Sequence, residues 1–465
     1  MILKIYLFFT AFLSTFLAYS QSSFFIKDQF RIMQLTHGHS GHMIHNTGCF
    51  SPDDQWIVYD TRNDDTLIAS TGNISMVNTH TDEIRELYST KRQTPYGPGV
   101  GAATFSPVAN RVIFIHGVRN ADEGNPYSFT RRTGVAIDIA KPFTPIFMDA
   151  RVVTPPFTPG ALRGGTHAHN WSPDGKWISF TYNDYIIQQL EKKDPSVKDL
   201  RTIGVMVPDH PVNVTYDSSE ENNNGEMFSV VVAQVTQYPQ PGSDEIDKAF
   251  DEGWIGANGY QKSDENWQRR AIAFQGEVVT ADGTKKAEVF VADLPEDLTK
   301  ANPGKPLEGT TTSRPNVPAG VSQRRITYSA NGIQGPRHWL RCTPDGKVIG
   351  FLSKDNKGLI QVFGVSPNGG NITQLTFNPY SVMGPFNFSP DGKYLAYLAD
   401  NSVFVTDVKT RKSKRLTPKS SIEEQLTGSV VWSNHGLMLA FNKYVKDHKT
   451  GTAFLQIFII KENVP

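Results

Sequence analysis

Short runs of alternating apolar and polar residues recur along the whole chain, each closed by a turn. KYLAYLAD (393–400) and SVFVTDV (402–408) are the clearest pair. A period of two is that of a β-strand with one buried face. Asp391-Gly392 sets a tight turn before the first run, and Thr410–Lys412 turns the chain after the second. With PFNFSP (385–390) before and KSKRLT (412–417) after, the segment predicts a four-stranded antiparallel meander, strands A to D from inside to outside.

The same template fits WIVYD, ISMVN and IRELYS (56–89), and RVIFIHG, VAIDIA and IFMDARVVT (111–154). It fits WISFTY, TIGVMVP and MFSVVVAQVT (177–236), and RAIAFQG and AEVFVADL (270–294). VIGFLS and IQVFGVS (348–366), then LMLAFNKYV and FLQIFII (437–460), complete the series.

Two marks punctuate these units. One ends in Thr: QLT (34–36), RQT (92–94), VVT (152–154), QVT (234–236), RIT (325–327), QLT (374–376) and RLT (415–417). The other is an aromatic or Cys followed by Ser/Thr: FSPDD (50–54), FSPVA (105–109), WSPDG (171–175), CTPDG (342–346), FSPDG (388–392) and WSNHG (432–436), with KSDEN (262–266) as a degraded copy. A fixed internal repeat decides the architecture. The expectation is an all-β fold, a seven-bladed β-propeller. The last unit runs out after its third strand, so Phe30–Thr36 is expected to supply its outer strand and clasp the ring, covering both open edges. An open array, or six blades with the fourth unit as an insertion, is the competing arrangement.

Lys+Arg and Asp+Glu both number 46, so no bulk field draws the chain to nucleic acid or anionic lipid. MILKIYLFFTAFLSTFLAYS (1–20) reads as a signal peptide cut near Ser20 or Gln21, leaving 21–465 as one domain, periplasmic or secreted. No later segment reads as a membrane span. Cys49 and Cys342 fall in distant repeats and read as small apolar groups, not a disulfide.

The long connections fall mostly on the face that holds the D-to-A crossovers and B-to-C loops. Asp209–Glu226 is the main exception, and Gln237–Gly253, with DEIDKAFDEGW, reads as a short amphipathic helix or, less well, a cation-binding loop. Of 12 histidines, His37, His39, His42, His45, His167, His169 and His338 lie in crossovers just before an innermost strand, at the mouth of the central channel. His45, His167 and His338, from three blades, are the candidate ligands of a divalent metal (Mn²⁺, Zn²⁺ or Ca²⁺). Hydrogen bonding among themselves and to trapped water is the other reading of the same histidines. Arg62, Arg131, Arg132, Arg337 and Arg341 are candidate grips for a carboxylate or sulfate. Arg131-Arg132 reads equally as a solvated rim. His169, Tyr127 and Arg163 are the candidate catalytic groups, with Tyr127 alternatively a packing residue.

WSPDGKWISF and FSPDGKYLAY, together with QLT, resemble the β-propeller repeats of TolB and related WD40-like repeats, which implies the fold and, as one function, a non-catalytic protein-interaction scaffold. THGHSGHMIHNTGCFSPDDQWIVYDTR and YSFTRRTG resemble an uncharacterised family of exported bacterial propellers. The histidines before S-P-D marks resemble, more distantly, oligogalacturonate lyases, seven-bladed propellers with a histidine-rich metal site. That likeness implies an acidic oligosaccharide as partner and a carbon–oxygen lyase acting by elimination next to a uronate carboxylate. The chain is expected to act as a monomer on such a saccharide, or on a protein partner at the channel face.

Overall fold

A computed structural model describes residues 30–215, 219–447 and 449–462; the expected signal peptide, residues 1–20, lies outside them. Seven antiparallel sheets follow one another in chain order, each a meander from an inner to an outer strand. Blade six, for example, runs Asn387–Phe388, Tyr394–Ala399, Ser402–Asp407 and Ser413–Arg415. In blade one the inner strand is reduced to the bridges Met43 to Asp60 and Phe50 to Ile57. Blade seven is completed by Phe30–Gln34, which pairs antiparallel with Ala453–Glu462. The ring therefore closes as expected.

Both sequence marks have a hydrogen-bonding reason. In the inner mark the hydroxyl donates to the Asp two residues on and accepts the backbone N–H five residues on. Ser51, Ser172, Thr343 and Ser389 do this with Asp53, Asp174, Asp345 and Asp391, pinning the A-to-B turn. In the outer mark the Thr hydroxyl accepts a third-strand N–H. Thr36, Thr327, Thr376 and Thr417 take those of Ile457, Val289, Val362 and Val403.

Apolar faces of neighbouring blades interlock all round the ring. Trp56 and Val58 of blade one meet Phe105 and Phe114 of blade two. Leu35, Ile44 and Tyr59 meet Met438, Ile457 and Ile459 across the closing seam. Leu35 is 1% exposed, and burying one such side chain contributes about 2 kcal/mol. A chain beginning at His37 is expected to lose this seam and expose the edge of Ala453–Glu462. Size-exclusion chromatography should show aggregates that the intact chain lacks. Unchanged elution and melting temperature would contradict a clasping role.

The structure corrects the reading of blade four. Gln237–Gly253 is no helix: Ile246–Trp254 is the innermost strand, pairing with Ala271–Val279. Its charged residues mislead because they flank a bulge at Asp251, whose φ is 52°. KSDEN instead sits in a small hairpin, Tyr260–Gln261 with Trp267–Gln268, inside the A-to-B connection. Inner strands two and three bulge at the equivalent Ala102 and Ala168, both with φ 56°. Left-handed non-glycine residues are strained. Here they turn the side chains of His169 and Glu252, the next residues in their strands, to fully buried positions.

Among the described residues no helix is long and apolar enough to cross a membrane. Cys49 and Cys342 are free thiols.

Candidate functional site

Arg132 opens the third strand of blade two, Arg132–Asp138, immediately after the loop carrying Tyr127 and Phe129. Gly165 lets that loop approach the inner strand of blade three, since a Cβ there would lie 2.1 Å from the Phe129 carbonyl oxygen. Arg132 is 3% exposed. Its Nη1 donates to the Tyr127 hydroxyl at 2.9 Å, while Nε and Nη2 have no partner. Its guanidinium lies 5.1 Å from the Phe129 ring centroid, and that of Arg201 lies 5.2 Å from the same ring.

Arg337, from the crossover into blade five, pairs with Asp251 at 3.0 Å and stacks over Trp339 at 4.5 Å. His45 meets Trp339 edge-on at 5.7 Å. The Nε1 of Trp339 and the Nδ1 of His167 are buried without a partner.

This end of the channel is therefore rich in unused donors. Burial, and after it the charges of Arg132, Arg201 and Arg337, holds His167 well below the usual imidazole value. Burial with Arg62, Arg341 and Arg337 does the same to His45. Both rings are neutral at pH 7. Arg201 is pushed down to about 10 by burial, Arg132 and Arg337. Arg337 has Asp251 and Arg201 has Asn183, but the unpartnered nitrogens of buried Arg132 are costly, and a bound anion would relieve that cost.

Other candidates are committed elsewhere. Arg62 forks onto Asp60 at 2.7 and 2.8 Å and reaches Asp65. Arg131 pairs with Glu221 and donates to Asn120. Arg341 crosses the axis from blade five, donating to Asn387 at 2.8 Å and to the side-chain oxygen of Asn46 in blade one. Asn387 in turn donates to the Asn46 carbonyl, Ser429 and Val430. This network ties blades one, five, six and seven across the channel. It floors a separate cavity of about 280 Å³ at the opposite mouth, lined by Phe105, Trp171, Phe388 and Trp432. Arg62, Arg131 and Arg341, expected as carboxylate grips, are held by these bonds.

Arg163, expected as a catalytic group, is likewise engaged within the fold. It is wholly buried, paired with Asp184 at 2.7 Å, and donates to the carbonyls of Thr310 and Ser313. His169 is also wholly buried, bonded to Thr166 at 3.0 Å and seated against Gly134 of blade two. It packs between blades; of the expected catalytic set, Tyr127 keeps a place beside Arg132.

The expected metal ligands do not converge. Among the described residues, no group of three or more His, Cys, Asp or Glu side chains could hold a metal ion. In His338 both ring nitrogens are taken: Nδ1 bonds the Pro336 carbonyl at 2.9 Å, and Nε2 accepts the Leu352 N–H at 3.0 Å. A nitrogen of His45 accepts from Asn46 at 2.8 Å. His167 stands in the field of three guanidinium groups. As arranged, this donor set does not fit a cation.

The sequence reading missed Arg201, Phe129, Trp339 and Glu252. Arg201 directly precedes TIGVMVP and Trp339 follows His338, so position beside a read motif is the one signal that could have found them. Glu252 accepts from Thr181 at 2.9 Å through one oxygen, while the other is buried unpartnered. Burial pushes its carboxyl up from 4.5 to about 7. The folded protein then keeps a proton that the unfolded chain releases. The stabilising contribution is complete below about pH 4.5 and lost as pH rises through about 7, a change of about 3 kcal/mol. Glu252→Gln is expected to flatten this slope, so that melting curves of variant and wild type diverge between about pH 5 and pH 8 in favour of the variant. Parallel profiles would contradict the assignment.

A family model described as "Protein of unknown function (DUF3748)" matches residues 99–222, the stretch that carries Tyr127, Arg132, His167 and Arg201. The Escherichia coli (strain K12) protein described as "Uncharacterized protein YidR" is 37% identical over 416 residues, covering 88% of this chain and 94% of that protein. The fold superposes on an oligogalacturonate lyase in complex with manganese, with a TM-score of 0.53, 11% identity and 93% of each chain covered. It also superposes on an oligogalacturonate lyase from Vibrio parahaemolyticus, with a TM-score of 0.51, 11% identity and the same coverage. At that identity the likeness is one of fold.

Proposed function

We propose that this chain, which belongs to the family of Escherichia coli YidR, binds a carboxylate-bearing saccharide at the guanidinium-lined end of its channel and cleaves it by β-elimination. The observation that carries the reading is Arg132, a nearly buried guanidinium with two free N–H-bearing nitrogens and no carboxylate partner among the described residues. A uronate supplies what Arg132 lacks: two coplanar oxygens matching its fork. The two oligogalacturonate lyases of like fold suggest the first probe.

Elimination from a uronate needs three things: neutralisation of the carboxylate, a base for the proton beside it, and a proton for the leaving oxygen. Arg132 offers the first. A ring nitrogen of neutral His167 takes the C5 proton. The C4–O bond breaks as the C4–C5 double bond forms, the departing oxygen takes the Tyr127 phenolic proton, and water then relays the proton held by His167 back to Tyr127. Tyr127 already accepts from Arg132, so its own O–H is free to donate. Residues 1–20 support action in the periplasm or outside the cell.

The experiment is to incubate the purified chain with galacturonate oligomers and follow the absorbance of the unsaturated product, with binding measured in parallel by calorimetry. Binding with product formation is expected. Binding without product would leave a saccharide-binding module, and no binding over a panel of uronates would favour the protein-interaction scaffold.

A further inference from the structure

The guanidinium groups do not end at Arg132. Arg201, across the Phe129 ring, also lines a cavity of about 290 Å³ with Lys248, Asp251, Gln334 and Arg337. Lys248 sits 4.3 Å over the Phe250 ring. Arg201 donates through Nε to Asn183, a neutral partner. Arg337 has Asp251. Gln275, on the same wall, is tied down by donating to the His338 carbonyl. The carboxylates whose charge acts on Arg201 are Asp251 and Asp199, and Asp199 is already engaged by the Asp184 N–H and Asn183. Arg132, Arg201, Lys248 and Arg337 thus follow one another along one wall; Asp251 is bonded to Arg337, and of the acids in the adjoining groove beside Arg201 and Lys248, Asp199 accepts from Asn183 while Asp247 and Glu277 are paired with Lys285.

We infer that this path is a two-carboxylate cradle: Arg132 grips one uronate of the ligand, Arg201 with Lys248 grips the next, and the guanidinium groups do the work of a divalent cation. The inference rests on the saccharide reading above and adds length selectivity and independence from metal. The chemistry is consistent on both counts. The imidazole that would complete a ligand set, His338, is bonded through both nitrogens to backbone. Guanidinium groups spaced along a wall select for charge repeated along a chain, where one metal ion selects for a single chelating group.

The test is calorimetry of the intact protein with galacturonate and with digalacturonate, each in EDTA and in Mn²⁺. Digalacturonate should bind at least about tenfold more tightly than the monomer, equally well in both buffers, with an affinity that falls as salt rises. Lys248→Gln should cut the ratio of the two affinities to below about threefold, and Arg201→Gln should do the same. Circular dichroism checks that both variants are folded. Binding seen only in Mn²⁺ would overturn the inference while leaving saccharide binding standing. Equal affinity for the two sugars in the wild type, or a ratio untouched in both variants, would overturn the second subsite. No binding in either buffer would remove the saccharide reading and the inference with it.

Discussion

Arg132→Met is expected to abolish saccharide binding and leave the protein no less stable than wild type. Lost binding and lost stability usually travel together when a buried residue is replaced, so their separation is the informative result. Arg132 is 3% exposed, with two of its nitrogens unpartnered. A buried charge lacking its counter-ion costs several kcal/mol; the Phe129 and Tyr127 rings at 5.1 and 5.8 Å offset part of that cost. Methionine follows the same path without the charge. The melting temperature should hold or rise, while affinity for a uronate oligomer falls at least about 100-fold, the loss of one bidentate charged contact worth about 3 kcal/mol. A variant that melts early would make Arg132 a structural residue. One that binds normally would remove it from the site.

Arg163→Met should do the opposite. Arg163 and Asp184 are both essentially inaccessible, and the replacement leaves the Asp184 carboxylate with Tyr182 and the Ile187 N–H as hydrogen-bond donors and Arg314 as the remaining nearby cation. Breaking one side of a buried pair costs about 3–5 kcal/mol. The same guanidinium holds the carbonyls of Thr310 and Ser313, from the connection between the third and fourth strands of blade four. Limited proteolysis should therefore cut near residues 310–313 in the variant first. At a temperature where the variant is folded, its affinity for uronate oligomers should match that of wild type. Full stability with lost turnover would restore Arg163 to the catalytic set.

The fold was legible because its two marks are local chemistry. A Ser or Thr bonding an Asp two residues on leaves a pattern that sequence displays directly, as does a Thr hydroxyl taking the N–H of a neighbouring strand. The reading failed where a local rule was broken by the ring itself. Ile246–Trp254 carries charges at positions an inner strand ordinarily keeps apolar, because its bulge turns Glu252 towards Thr181 of blade three. For the site, residue type was legible and partnership was not. Arg62, Arg131, Arg132 and Arg163 look alike along the chain. What separates them is whether a carboxylate waits nearby: Asp60, Glu221 and Asp184 for three of them, and none among the described residues for Arg132. Those acids lie from 2 to 90 residues away, so no window of sequence sorts them. Arg201 was missed for the converse reason: it stands alone in sequence and acquires Arg132 as a neighbour only through the shared Phe129 ring.

The most direct measurement is a crystal structure of the protein with digalacturonate, grown in EDTA. One carboxylate is expected within about 2.7–3.2 Å of both Nε and Nη2 of Arg132, and the second beside Arg201 and Lys248. A sugar seated at the far mouth among Trp171, Phe388 and Trp432, with the Arg132 nitrogens still unmatched, would contradict it.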